Sequence, residues 1–225
     1  MGGHDHGHGD DHGHGHGDDH SPDHGDDHSP DHSPDHGGHG HDHGVSQSRI
    51  DRLNDPAQYR YLSAEELRRF LNPDRDWTVL DLGSGTGFYP DAVAPVVGRA
   101  YAVDVAPEMH DAYRERGLPE NVEPVEADVG AIPLDDDAAD GALSVRTFHH
   151  GVAEALDEVA RLLRPGGRFI VVDWSATGVG DRDRGPAPEN CFDLATVQSM
   201  LIDAEFTVED AHERRETFVV VARRD

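Results

Sequence analysis

Residues 79–90 read VLDLGSGTGFYP: a run of strand-forming residues breaks into three alternate glycines and resumes as a helix. Gly83, Gly85 and Gly87 permit a tight turn and a close approach of backbone to a ligand. A strand that feeds a helix through such a turn is the opening unit of a ligand-binding α/β sheet, so the rest of the chain has to supply further strands and crossover helices.

It does. After TVLDLG (78–83) and a helix through about Val97, AYAVDV (100–105) is a second strand and PEMHDAYRERG (107–117) a helix closed by Gly117. VEPVEAD (122–128) is a third strand and GALSVRTF (141–148) a fourth. GVAEALDEVARLL (151–163) has apolar residues at helical spacing and stops before Arg164-Pro165-Gly166-Gly167, and RFIVVDW (168–174) is a fifth strand. A polar loop leads to a helix over 193–204, and FTVEDAHE and ETFVVVAR close the chain as a strand pair, read as a hairpin. The fold class is α/β, with a mainly parallel sheet and ligands at the carboxyl ends of its strands. Ahead of it, residues 45–76 give a helical lead-in. There Ser63 and Glu66 form a capping-box pattern, Leu62, Leu67, Phe70 and Leu71 an apolar face, and Asn72-Pro73 a stop.

Residues 1–44 are different in kind. They hold 14 His, 11 Asp and 12 Gly, with Met1 as the only apolar side chain. Such a segment cannot bury enough surface to offset chain entropy and is expected to be disordered. GDDHSPDH occurs at 17–24 and again at 25–32, too short and polar for a solenoid unit. Closely spaced imidazoles, among them His4, His6, His8, His12, His14, His16, His20 and His24, suit Ni, Zn, Cu or Co with little selectivity. The sequence therefore leaves two classes of function open: an enzyme with a metal-binding tail, or a metal buffer or delivery protein on an enzyme-like platform.

Residues 45–225 carry 35 acids against 19 basic residues, all of them arginine. An acid-heavy surface without lysine fits a salt-adapted, halophilic protein, and a GC-rich genome gives the same arginine bias. A net charge of −16 argues against duplex nucleic acid as a partner. Cys191 is the only cysteine, so no intrachain disulfide or thiolate cage forms. The absence of a spanning apolar run or a signal-peptide pattern gives the expectation of a cytoplasmic protein that does not enter membranes.

Two acids narrow the ligand. Asp104 stands 21 residues after Gly83, close to the spacing of a ribose-binding acid in a dinucleotide site. Phe88, however, replaces the third dinucleotide glycine. Asp81 beside the loop would repel a pyrophosphate and attract a cation such as the ammonium and sulfonium of S-adenosylmethionine. The methyl donor is the better match.

VLDLGSGTG, then AVDVAPEM, EADVGAIPLDDDAADGALSVRTFHH and LLRPGGRFIVVDW resemble the successive motifs of class I S-adenosylmethionine-dependent methyltransferases. The nearest branch is the small-molecule one that includes ubiquinone/menaquinone methyltransferases. The resemblance covers residues 77–175 clearly, within a domain over 77–225. It implies a Rossmann-like seven-stranded sheet in the order 3-2-1-4-5-7-6, with strand seven antiparallel. It also implies roles: Gly83, Gly85 and Gly87 under the methionine part of the donor, Asp81 at its ammonium, Asp104 at the ribose hydroxyls. Val105 and Met109 would flank the adenine, Asp128 and the Val129 backbone would meet its amino edge, and Arg146 belongs to the same donor-binding set.

Methyl transfer needs an acceptor held in line, and a base only where the acceptor must lose a proton. His149 and His150, after strand four, are the candidate bases, although such a pair also serves to start a helix. Methyltransferases of amino groups on bases or glutamine carry Asp/Asn-Pro-Pro-aromatic at this point. This chain has Arg146-Thr147-Phe148-His149, which sets that class aside; the resemblance to the small-molecule branch implies a small-molecule acceptor, which the sequence does not identify. The loop at 185–193 and the helix at 59–71 are candidate substrate covers, with Tyr59 and Tyr61 as candidate contacts.

Overall fold

The computed structural model describes residues 46–178 and 185–225; the histidine-rich segment, with its candidate metal ligands His4 to His24, lies outside the described residues. Seven strands, β1 (Thr78–Leu82), β2 (Arg99–Asp104), β3 (Val122–Glu126), β4 (Ala139–Val145), β5 (Leu163–Trp174), β6 (Phe206–Glu213) and β7 (Thr217–Arg224), form one sheet in the order β3-β2-β1-β4-β5-β7-β6. The pairings among β1 to β5 are parallel, and β7 runs antiparallel to both its neighbours. The architecture is the one expected, including the closing pair.

Helices cover both faces: α1 (Gln47–Leu53), α2 (Ala64–Leu71), α3 (Phe88–Val93), α4 (Pro107–Arg116), α5 (Leu156–Leu162) and α6 (Leu194–Asp203). Because side chains alternate across a strand, each central strand feeds two cores. Leu80, Leu82, Phe169 and Val171 pack with Val159 and Leu162 of α5 and Val197 and Leu201 of α6. Val79, Leu143, Ile170 and Val172 pack with Leu67 and Leu71 of α2, Val93 of α3 and Tyr113 of α4. Each fully buried Leu, Ile, Val or Phe contributes roughly 1.5–3 kcal/mol, so the central strands read as continuous apolar runs.

The capping box at α2 forms: Ser63 Oγ accepts from the Glu66 amide at 3.2 Å, and Glu66 Oε2 accepts from the Ser63 amide at 3.0 Å. Asn72 ends the helix in the left-handed region at φ 43°. Three boundaries differ from the sequence expectation. The helix after the glycine loop stops at Val93 and finishes as a 3-10 turn over Ala94–Val96, where Pro95 lacks an amide donor. Strand β4 ends at Val145, because Arg146 turns with φ 62°. Two 3-10 turns precede the short helix α5, and β5 begins at Leu163, with the Arg164–Gly167 stretch inside the strand at a register shift against β4. Helix α1, in the lead-in, carries no apolar periodicity that announced it. Among the described residues no helix is long and apolar enough to cross a membrane.

Candidate active site

The carboxyl ends of β1 and β2 and the turn after β4 meet at the glycine loop, and the end of β5 lies beside that turn. The three loop glycines all have positive φ, of 77°, 53° and 87° for Gly83, Gly85 and Gly87, but different surroundings. A Cβ on Gly83 would lie 2.4 Å from Thr147 Cγ2, and one on Gly87 would enter the Tyr113 ring at 2.1 Å. Gly83 is thus the seat for the turn after β4, where Thr147 Oγ1 donates to the Leu82 carbonyl at 2.6 Å. Gly87 is the seat for α4, where the Tyr113 hydroxyl donates to Asp91 at 2.6 Å. Only Gly85 opens onto space, its nearest neighbour being Leu53 Cδ1 at 4.0 Å.

Asp104, at the end of β2, is bound to that loop. Its Oδ2 accepts from the Gly85 amide at 2.8 Å and its Oδ1 from the Ala106 amide at 3.0 Å, leaving both oxygens further lone pairs. His110 of α4 is buried with its Nε2 3.2 Å from the Asp104 carbonyl. Next in sequence, Val105 is 65% exposed, unusual for a large apolar residue here, while Met109 is buried beneath the same turn. Asp128 is exposed and accepts from the Gly130 amide at 2.8 Å, and Val129 packs partly against the core.

Asp81 is the electrostatic centre. It projects from β1, is buried, and accepts no hydrogen bond from any described residue. Burial, reinforced by the negative charge of Asp104, pushes its carboxyl up to about 8. A buried carboxyl without a donor is a place for a cation.

Arg146 stands on the same face of the sheet. Its guanidinium lies 4.6 Å from the Tyr61 ring centroid, and its buried Nε has no partner. Among the described residues it is the one arginine that is not exposed and yet makes no ion pair. Tyr61 meets Trp174 edge-on at 5.2 Å, and Tyr59 meets Phe88 at 4.7 Å. The lead-in closes over the loop: Thr86 Oγ1 donates to Asn54 at 3.0 Å, and the Tyr89 hydroxyl donates to the Gln58 carbonyl at 3.2 Å.

His149 lies on the turn after β4, with its ring 6% exposed. Its Nδ1 is 2.8 and 2.9 Å from the two oxygens of Asp173, and its backbone amide donates to Asp173 Oδ2 at 2.9 Å. The His150 ring lies tilted against it with centroids 3.9 Å apart, and burial together with His149 lowers the His150 pKa.

Comparison with known proteins agrees with this geometry. Residues 80–171 match the model of a methyltransferase domain family. A crystal structure of a SAM-dependent methyltransferase from Aquifex aeolicus is 31% identical and superposes with a TM-score of 0.70, covering 80% of this chain and 98% of that one. The chain belongs to the class I S-adenosylmethionine-dependent methyltransferases. A ubiquinone/menaquinone biosynthesis C-methyltransferase from Brucella suis is 33% identical over 56% of this chain, which spans only 52% of that relative. A Burkholderia thailandensis 1,6-didemethyltoxoflavin-N1-methyltransferase, solved with bound 1,6-didemethyltoxoflavin and S-adenosylhomocysteine, is 25% identical with a TM-score of 0.59, covering 79% of this chain and 82% of that one.

Asp81 lies in β1 ahead of the loop, Asp104 accepts from the Gly85 amide, and Arg146 turns off the end of β4 against Tyr61. Gly83 and Gly87 serve packing first. Asp173 was missed: RFIVVDW reads as a strand, and nothing local pairs its acid with a histidine 24 residues earlier. Of the aromatic side chains Tyr59, Tyr61, Phe88 and Trp174, only Tyr59 and Tyr61 were visible in the sequence as candidate contacts. A cleft of about 350 Å³ lined by Arg60, Arg214, Arg215, Glu216 and Thr217 shares only Tyr61 with the site. Among the described residues no group of three or more His, Cys, Asp or Glu side chains could hold a metal ion.

Proposed function

We propose that the protein transfers a methyl group from S-adenosylmethionine to a small-molecule acceptor at the carboxyl ends of β1 and β4. Asp81 carries this reading, because a buried carboxyl without a donor suits the donor's ammonium and not a pyrophosphate. S-adenosylmethionine, when bound, supplies a methyl group already activated by a positive sulfur. The protein binds and orients. Asp81 takes the ammonium and Arg146, which lacks a counter-ion, takes the carboxylate of the methionine moiety. The loop of Gly83, Gly85 and Gly87 leaves room for the chain between them, with the open side of Gly85 as the support. Asp104 has lone pairs left for both ribose hydroxyls. Val105 and Met109 flank the adenine, a reading supported by the exposure of Val105, and Asp128 with the Val129 backbone faces its amino edge. The aromatic side chains Tyr59, Tyr61, Phe88 and Trp174 and the lead-in over the loop keep water from the reacting atoms.

The histidine-rich segment, in this reading, is a metal-binding appendage outside the methyl-transfer machinery. Its support is the count of 14 His in 44 residues, recurring at short spacings as in HDHGH and HSPDH.

Calorimetry with S-adenosylmethionine and NAD tests the donor assignment. Binding of the first and not the second is expected, and tight NAD binding would sink it. A metabolite extract incubated with labelled donor then identifies the acceptor through its labelled product.

A further inference from the structure

We propose that Asp173 and His149 act together as a carboxylate–imidazole pair that removes the proton of a phenolic or enolic acceptor. The inference rests on the methyl-transfer reading above and names the class of acceptor for that site.

The pair is built from two strand ends. Parallel register sets Val145 beside Val172, so the ends of β4 and β5 lie level, and the Arg146 amide donates to the Val172 carbonyl at 2.7 Å. Asp173 follows immediately, 1% exposed, and accepts from the His149 amide and its own neighbour Trp174 as well as facing Nδ1. A buried carboxylate facing Nδ1 holds the proton there, which leaves Nε2 as the basic nitrogen. Nε2 has no hydrogen-bond partner among the described residues. The turn that carries it is fixed at both ends to the donor site: Thr147 sits against Gly83, and Gly151 lies beside Val129, where an added Cβ would be 3.6 Å from Val129 Cγ2. The titratable groups placed against the imidazole are Asp173 from β5 and His150 from the same turn.

A positioned base discriminates among acceptors. A neutral amine attacks with its lone pair and needs no base, and a thiol ionises unaided near a pKa of ~8.5. A phenol, at ~10, stays protonated at neutral pH and gains from a neutral imidazole with a pKa near the working pH. In the step itself the acceptor O–H bond breaks and the proton passes to Nε2. The oxygen forms a bond to the methyl carbon, and the C–S electron pair stays on sulfur, leaving a neutral thioether. The imidazolium is balanced by Asp173 and returns its proton to water.

Asp173→Asn is the decisive variant. An asparagine oxygen still accepts from the His149 amide, while its NH2 faces Nδ1 and forces the other tautomer; the Trp174 amide loses its acceptor, so thermal melting is read beside the kinetics. With full-length protein and labelled donor, catechol should be methylated and aniline not. Asp173→Asn should lower kcat on catechol by roughly 10²–10⁴-fold at unchanged KM, with the base-dependent limb of the pH–rate profile lost. As a readout without turnover, 4-nitrophenol added to the S-adenosylhomocysteine complex should bind as the yellow anion in wild type and as the neutral phenol in Asp173→Asn and His149→Gln. Wild-type kinetics in folded Asp173→Asn, equal methylation of aniline, or 4-nitrophenol that fails to bind or binds neutral to the wild type would overturn the proposal. Absence of donor binding in calorimetry would instead bring down the methyl-transfer reading beneath it.

Discussion

The Gly85 amide donates to Oδ2 of Asp104 over 2.8 Å, tying the one open glycine of the loop to the acid that ends β2. The bond ties loop shape to the acid proposed to meet the ribose. Asp104→Ala should therefore loosen the loop and remove a charged acceptor. One such hydrogen bond is worth roughly 1.5–3 kcal/mol, so affinity for S-adenosylhomocysteine should fall at least about tenfold. Calorimetry checks this, and unchanged affinity in a folded variant would refute the assignment.

The proposed contact of Asp81 with the donor's ammonium would couple binding to pH. The Asp81 carboxyl, raised to about 8 in the free protein, holds a proton at neutral pH, and an ammonium placed against it favours the carboxylate. Binding then expels a proton, and affinity should rise with pH until about 8 and level off above it. Stability of the free protein should show the opposite trend. The raised pKa contributes stability that is present in full below the ordinary aspartate value of 3.8 and is lost as pH rises through about 8. Asp81→Asn should flatten both profiles, which calorimetry and thermal melts across this range would show.

The three loop glycines should fail differently. Gly87→Ala and Gly83→Ala place a methyl group 2.1 Å from Tyr113 and 2.4 Å from Thr147 at positive φ, and should lower Tm by several degrees. A domain of this size loses about 2–4 °C per kcal/mol. Gly85→Ala meets no close neighbour, so its cost is the left-handed backbone alone, on the order of 1–2 kcal/mol. It should lose donor affinity out of proportion to its stability.

Arg146 adopts φ 62° with an unpartnered Nε, so Arg146→Gly should relieve strain of about 1 kcal/mol or more. The variant should melt higher than wild type and bind the donor more weakly. A loss of stability would show that stacking on Tyr61 outweighs the backbone term.

Removal of residues 1–44 takes away 14 His and 11 Asp. Metal stoichiometry should fall to near zero in a chain beginning at Val45, while donor affinity and turnover stay unchanged. In the full chain, metal should be released below the histidine pKa of ~6.5, because protonated imidazoles do not ligate.

The sequence alone determined the class of fold and pointed to the strand ends where the site is proposed. Runs such as VLDLG and RFIVVDW are apolar on both faces and separated by helical spacing, and only a sheet covered on both sides satisfies that pattern. Gly83, Gly85, Gly87 and Asp104 were legible because the turn and the strand-end acid are local features with fixed spacing. Tertiary structure decided what each of them does. Gly83 and Gly87 are dictated by Thr147 and Tyr113, side chains far along the chain that occupy the space a Cβ would need. Asp81 was readable as a charge, but its raised pKa comes from burial and from Asp104 on the neighbouring strand. Asp173 was silent in sequence, since its partner His149 reaches it only when parallel β4 and β5 bring their carboxyl ends level. Local chemistry is written in spacing, whereas a site assembled from four strand ends exists only once hydrogen-bond register has set those ends side by side.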